Sequence, residues 1–218
     1  KRQGEYCAIA VAGGMCDMDA VRTVRSRGIF MEHAAPEGTG AMSAVLGLDA
    51  AVIEDVLNGR EGVSIANYNC PGQIVITGEA KAVAEAGTAL KEAGARRVLP
   101  LKVSGPFHSP MMRPAGEELA KVFAGVSMNP LKVPYVANIN AEVITDCGKI
   151  EELLVAQVSG SVRWQQSVET MIREGVDTFV EIGPGKTLTG FLRKIDKNVK
   201  SYHIGSWEEA VLVCEELK

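Results

Sequence analysis

Apolar residues open the chain at helical spacing, pass into alternating runs, and return to helical spacing towards the end. Residues 4–12, rich in Ala and Ile and stopped by Gly13-Gly14, predict a helix. Asp17 reads as the N-cap of a second helix, residues 18–34, in which Met18, Val21, Val24 and Phe30 oppose Arg22, Arg25 and Arg27. Near Pro36 the period shortens. Residues 40–48 predict a strand, 49–58 a capped helix ending at Gly59, and 63–69 a second strand. Cys70-Pro71-Gly72 is a turn into a strand over 73–77. An Ala-rich helix, 79–93, stops at Gly94, and 97–103 is a further strand. The order β-α-β-β-α-β is that of a ferredoxin-like split motif.

The second half alternates again. Residues 110–123 predict an amphipathic helix, with Ser109 as cap and Pro110 in the first turn. Short strands follow at 133–138 and 142–145, then helices at 149–158 and 161–173. A strand over 177–182 runs into Gly183-Pro184-Gly185-Lys186, and beyond lie a helix, 188–195, a strand, 202–204, and a closing helix, 207–217. Together these predict an α/β protein in which a parallel layer is interrupted by the ferredoxin-like insertion. The Gly-Pro-Gly-Lys turn lacks the spacing of a phosphate-binding P-loop and reads as a tight turn.

Composition narrows the functions without redirecting the fold. Hydrophobic residues make up 46% of the 218 and charged residues 23%, with a formal net charge of −4. The basic residues are dispersed, which argues against nucleic acid or an anionic membrane as partner. No apolar run reaches membrane-spanning length. The five cysteines are scattered with no metal-ligand spacing, so reduced thiols in a cytoplasmic protein are the simplest expectation.

With only His33, His108 and His203, histidine chemistry has few candidates. The stretch Val103-Ser104-Gly105-Pro106-Phe107-His108-Ser109-Pro110 places His108 on a strand-to-helix loop between two prolines. A histidine so placed suits proton transfer at neutral pH, and equally suits a turn residue bonded locally. Arg27 stands at the edge of Gly28-Ile29-Phe30-Met31, where its planar fork could hold a carboxylate. Gln157 could be a helix-surface residue. Asn67 and Asn69 read as turn and strand-end hydrogen-bonders, and His33 and His203 as structural.

Five motifs stand in order: Gly4-Glu5-Tyr6; Arg27 to Met31; Asn67-Tyr68-Asn69-Cys70-Pro71-Gly72-Gln73; Gly105-Pro106-Phe107-His108-Ser109; and Glu181-Ile182-Gly183-Pro184-Gly185-Lys186. From Gly4 to about Gly205 the chain resembles the malonyl-CoA:acyl carrier protein transacylases. The resemblance implies a partial α/β-hydrolase-like core, residues 1–35 and 105–218, with an inserted ferredoxin-like subdomain, residues 36–104. It also implies ping-pong transfer of a malonyl group through an acyl-serine to the phosphopantetheine thiol of acyl carrier protein, for fatty-acid synthesis. His108 is then the general base, and Gln157 the residue whose carbonyl orients it. Arg27 holds the free malonyl carboxylate, a contact worth roughly 1.5–3 kcal/mol. Phe107 and Met31 wall the acyl pocket. Malonyl-CoA is a substrate and no cofactor is expected. The intact protein is expected to be a cytoplasmic monomer.

The resemblance departs at one place. The nucleophile belongs in Gly-x-Ser-x-Gly, and if Gly4 closes that motif the serine position falls on Arg2, between Lys1 and Gln3. An arginine stays protonated and cannot attack a thioester. Two expectations follow. Either the chain is the later part of a malonyltransferase and is inactive alone, or it is a non-catalytic remnant that binds acyl carrier protein or coenzyme A.

Overall fold

A computed structural model describes residues 2–103 and 105–218, the side chains of Arg2 and Gln3 excepted. Two helices come first, α1 (Arg2–Val11) and α2 (Asp17–His33). The alternating stretch then folds as β1 (Gly40–Leu46), α3 (Ala50–Leu57), β2 (Val63–Cys70), β3 (Gln73–Glu79), α4 (Ala80–Glu92) and β4 (Arg97–Pro100). Next come a 3₁₀ turn (Pro110–Met112), α5 (Arg113–Phe123), the short strands β5 (Tyr135–Val136) and β6 (Val143–Ile144), and α6 (Ile150–Ser159). The chain continues as β7 (Val162–Arg163), α7 (Trp164–Arg173), β8 (Thr178–Ile182), α8 (Thr187–Ile195), β9 (Lys200–Ile204) and α9 (Trp207–Glu216).

The main sheet has the order β4-β1-β3-β2-β7. Its first four strands pair antiparallel, as the ferredoxin-like motif requires. Side chains alternate across these strands, so each face collects its own set. On one face Val45, Ile74 and Ile76 meet Ile53 and Leu57 of α3 and Val83, Ala86 and Leu90 of α4. The other face carries Met42, Ala66 and Val75, and Phe107 packs on it from beyond β4. Phe107 also touches the larger core formed by Tyr6, Ile9, Met31, Met112, Leu119, Ile150, Leu154 and Val158. Phe107 thus helps join the inserted sheet to the helical core. Each fully buried aliphatic there contributes roughly 1.5–3 kcal/mol.

Several local expectations are corrected. Cys16, not Asp17, caps α2, its Sγ accepting from the Asp19 N–H. Asp49 and Ser109 stand at N-cap positions without a side-chain cap bond. The Ser109 hydroxyl instead donates back to the Pro106 carbonyl at 2.7 Å. The strand expected over 97–103 ends at Pro100, although the Leu101 N–H still donates to Met42 O at 2.9 Å. The helix expected to begin at Ser161 begins at Trp164, because Val162 and Arg163 pair in parallel with Asn67 and Tyr68. Hydropathy could not show this, since a two-residue strand has no period. The expected parallel layer is, among the described residues, the pair β8–β9 with the short β2–β7 contact.

Candidate active site

The turn after Gly105 is built tightly. Phe107 N–H donates to Gly105 O at 3.0 Å and Met112 N–H to Ser109 O at 2.9 Å. Gly40, at the start of β1, lies against Pro106, where a Cβ would run into the proline ring. Between these contacts His108 adopts φ 64°, the left-handed region. For a residue with a Cβ this costs about 1–2 kcal/mol, and the surrounding packing must hold it. The result aims the ring inward, and His108 is 1% exposed.

Nδ1 of His108 lies 2.9 Å from Gly160 O and 3.1 Å from Gln157 O, both main-chain carbonyls at the end of α6. A carbonyl only accepts, so the Nδ1 proton is required. In the neutral ring Nε2 is then the basic nitrogen. The Gln157 side chain, itself buried, donates from Nε2 to Gly160 O at 2.9 Å and to Ser161 O at 3.3 Å. Gln157 therefore meets the ring through its carbonyl and braces the neighbouring carbonyl through its amide. Gly160 and Ser161 were not singled out by sequence; the one available signal was a glycine closing an apolar helix.

Arg27 and Met31 occupy one face of α2, four residues apart, and both are buried. Burial lowers the Arg27 pKa, while Tyr6 and Glu5 oppose that shift. Its Nη2 is buried without a hydrogen-bond acceptor among the described residues. A buried guanidinium N–H left open in this way suits an anionic oxygen. Glu5 is buried nearby and accepts from the Asn138 N–H at 2.9 Å and from its Nδ2 at 2.7 Å. Desolvation raises the Glu5 pKa against the lowering pull of Asn138 and Arg27. Burial likewise pushes the Tyr6 and Tyr135 hydroxyls up.

The structure thus sets His108 directly against Gln157, and places Arg27 with Met31 on α2. Phe107 packs on the core that contains Met31. Arg2, the expected serine position, has its side chain outside the described residues, as do Lys1, Gln3 and Ser104. His33 is exposed. His203 belongs to another arrangement, its Nε2–H donating to Gly183 O at 3.0 Å. Among the described residues no group of His, Cys, Asp and Glu is placed to hold a metal ion, and no helix is long and apolar enough to cross a membrane.

A histidine held by carbonyls at one nitrogen can offer the other as a base, and a buried arginine with an open N–H can take an anionic oxygen. Residues 2–211 match the acyl transferase domain model. The malonyl CoA-acyl carrier protein transacylase of Bacillus subtilis strain 168 is 45% identical over 219 residues, covering 99% of this chain and 69% of that protein. The crystal structure of the corresponding transacylase from Clostridium perfringens superposes with a TM-score of 0.94 at 40% identity, covering 98% of this chain and 68% of that one. A malonyl-transacylase solved in complex with a type II polyketide synthase acyl-carrier protein superposes with a TM-score of 0.91 at 38% identity, over 97% of this chain and 70% of that chain. This chain belongs to the acyl transferase domain family, among the malonyl-CoA:acyl carrier protein transacylases.

Proposed function

We propose that the protein transfers a malonyl group from malonyl-CoA to the phosphopantetheine thiol of acyl carrier protein, in fatty-acid synthesis. The observation that carries this reading is the pair of carbonyl oxygens against His108 Nδ1, which calls for a proton there and leaves Nε2 as the base. In the first half-reaction a serine Oγ, a group this sequence does not supply at the elbow position, attacks the thioester carbonyl and gives its proton to Nε2. The C–S bond then breaks, and the proton passes to the departing coenzyme A sulfur. In the second half the carrier thiol loses its proton to Nε2 and attacks the acyl-serine. The serine oxygen leaves and recovers the proton. Gln157 orients the imidazole, Arg27 pairs with the free malonyl carboxylate, and Met31 and Phe107 wall the acyl chain. The chemistry needs no cofactor, and malonyl-CoA is consumed as substrate. A cytoplasmic monomer fits the reading. So does division into a core, residues 1–35 and 105–218, and an inserted subdomain, residues 36–104.

The serine position of the elbow falls on Arg2 in this sequence. The 218-residue polypeptide is therefore expected to bind malonyl-CoA without forming an acyl-enzyme. Intact-mass measurement after incubation with malonyl-CoA checks this, and a malonyl adduct removed by hydroxylamine would overturn it. Calorimetric titration checks the Arg27 role. Arg27→Ala should weaken malonyl-CoA binding by about 10–100-fold and leave acetyl-CoA binding unchanged. Equal losses for both thioesters would remove Arg27 from the carboxylate site.

A further inference from the structure

The His108 ring rests on a carbonyl whose own position depends on the inserted sheet. Gly160 ends α6 and Ser161 follows it. The Ser161 hydroxyl donates to Ile65 O of β2 at 2.5 Å, across 96 residues of chain. One residue later the backbone joins β2 as β7, with Asn67 opposite Val162 and Tyr68 opposite Arg163. The Arg163 guanidinium lies 5.4 Å from the centre of the Tyr68 ring, and Arg163 N–H donates to Asn138 O at 2.8 Å. The three residues after the His108 acceptor are thus anchored to the sheet edge by a hydroxyl, a ladder and a cation–π contact.

We infer that Ser161 is a positioning residue for His108: its bond to Ile65 holds the Gly160 carbonyl where it fixes the proton on Nδ1. The inference deepens the general-base reading and rests on it for its functional meaning. Its geometry stands apart from that reading. Gln157 Nε2 draws Gly160 O towards α6, and the Ser161–Ile65 bond draws the next residue towards β2. Between the two pulls the carbonyl has one direction left. Releasing Ser161 leaves that carbonyl tied to β2 only from Val162 onward, and the Nδ1–H bond to Gly160 O opens more often while Gln157 O stays within reach. The inserted sheet then serves as the rigid support on which the base is set.

The test is imidazole ¹⁵N and exchangeable-proton NMR on the 218-residue chain, whose three histidines can be assigned separately. Ser161→Ala should raise the exchange rate of the His108 Nδ1 proton by about fivefold, the effect of losing one ordinary hydrogen bond. It should also reduce the Nδ1–H signature of the ring nitrogens. Ser161→Thr, which keeps the hydroxyl, should restore both. Ser167→Ala is the control, because that buried hydroxyl bonds within its own segment, to Arg163 O at 2.8 Å. Should Ser161→Ala fail to fold, Ser161→Cys replaces it with an intermediate rate expected. Exchange unchanged in Ser161→Ala, or raised as much by Ser167→Ala, overturns the inference. Neither result touches the general-base reading, which fails separately if His108→Ala leaves malonyl transfer unchanged in a protein that carries the elbow serine.

Discussion

Two ends of the molecule each hold a histidine and carboxylate in contrasting surroundings. At the inner end stand His108, Glu5 and Arg27, all buried. At the outer end, where β8 and β9 lead into their helices, stand His203, Glu181 and Glu209. Each histidine gives one ring N–H to a main-chain carbonyl. The second nitrogen of His203 lies 3.4 Å from the Glu209 carboxylate, an ion pair only when the ring carries both protons. The carboxylates differ as well. Desolvation raises Glu5. At Glu181 burial also pushes upward, but hydrogen bonds from Thr189 and Leu188 prevail and hold it low. Glu209 is held low first by the Gly205 N–H. Burial and the choice of partner, not residue type, set these groups apart.

Substitutions that touch one end at a time can break this contrast. Gly40→Ala should have the largest effect, because the new methyl meets the rigid Pro106 ring beneath His108. A loss of about 1–3 kcal/mol is expected from overpacking, measured as the urea midpoint. An unchanged midpoint would mean the His108 turn is not tightly seated. At the outer end Gly190→Ala should act in the opposite direction. Gly190 is inside α8 with open space where a Cβ would stand. Replacing a helical glycine there should add about 0.5–1 kcal/mol.

Acidity sharpens the comparison further. The folded-state pKa of Glu5 lies above its ordinary value of 4.5. The native state therefore binds a proton the unfolded chain has already lost, and this contribution falls as pH rises. It is complete below pH 4.5 and disappears as pH climbs through the folded pKa. Glu5→Gln removes the titration, so the stability of the parent relative to this variant should shrink over that window. A difference growing with pH would contradict the desolvated carboxylate. Smallest of all, Glu209→Gln should leave the melting temperature within error, since the side chain is exposed and solvent screens the pair.

Much of the fold was legible because its signals are local. Glycine stops, the Pro-Gly hairpin and strand alternation define β1 to β4 without reference to the rest of the chain. What escaped is what depends on distant partners. The two residues of β7 are strand only because β2 lies beside them. Cys16 caps α2 although a thiol is not a usual cap. For the site, His108, Gln157 and Arg27 could be singled out from motif and resemblance. The Gly160 carbonyl could not, since a backbone acceptor leaves no mark in side-chain identity. Glu5 stood inside a motif, but its bond to Asn138 spans 133 residues and no local pattern announces it.

The acceptors of His108 come 49 and 52 residues after it in the chain. During synthesis the imidazole-bearing turn therefore leaves the ribosome well before the groups that orient it. At about 5–20 residues per second, that interval lasts on the order of several seconds. The four antiparallel strands have all emerged by then, so the nascent chain can carry a paired sheet with its histidine still unset. Orientation of the imidazole is thus a late event of biogenesis, complete only when the turn after α6 docks on β2.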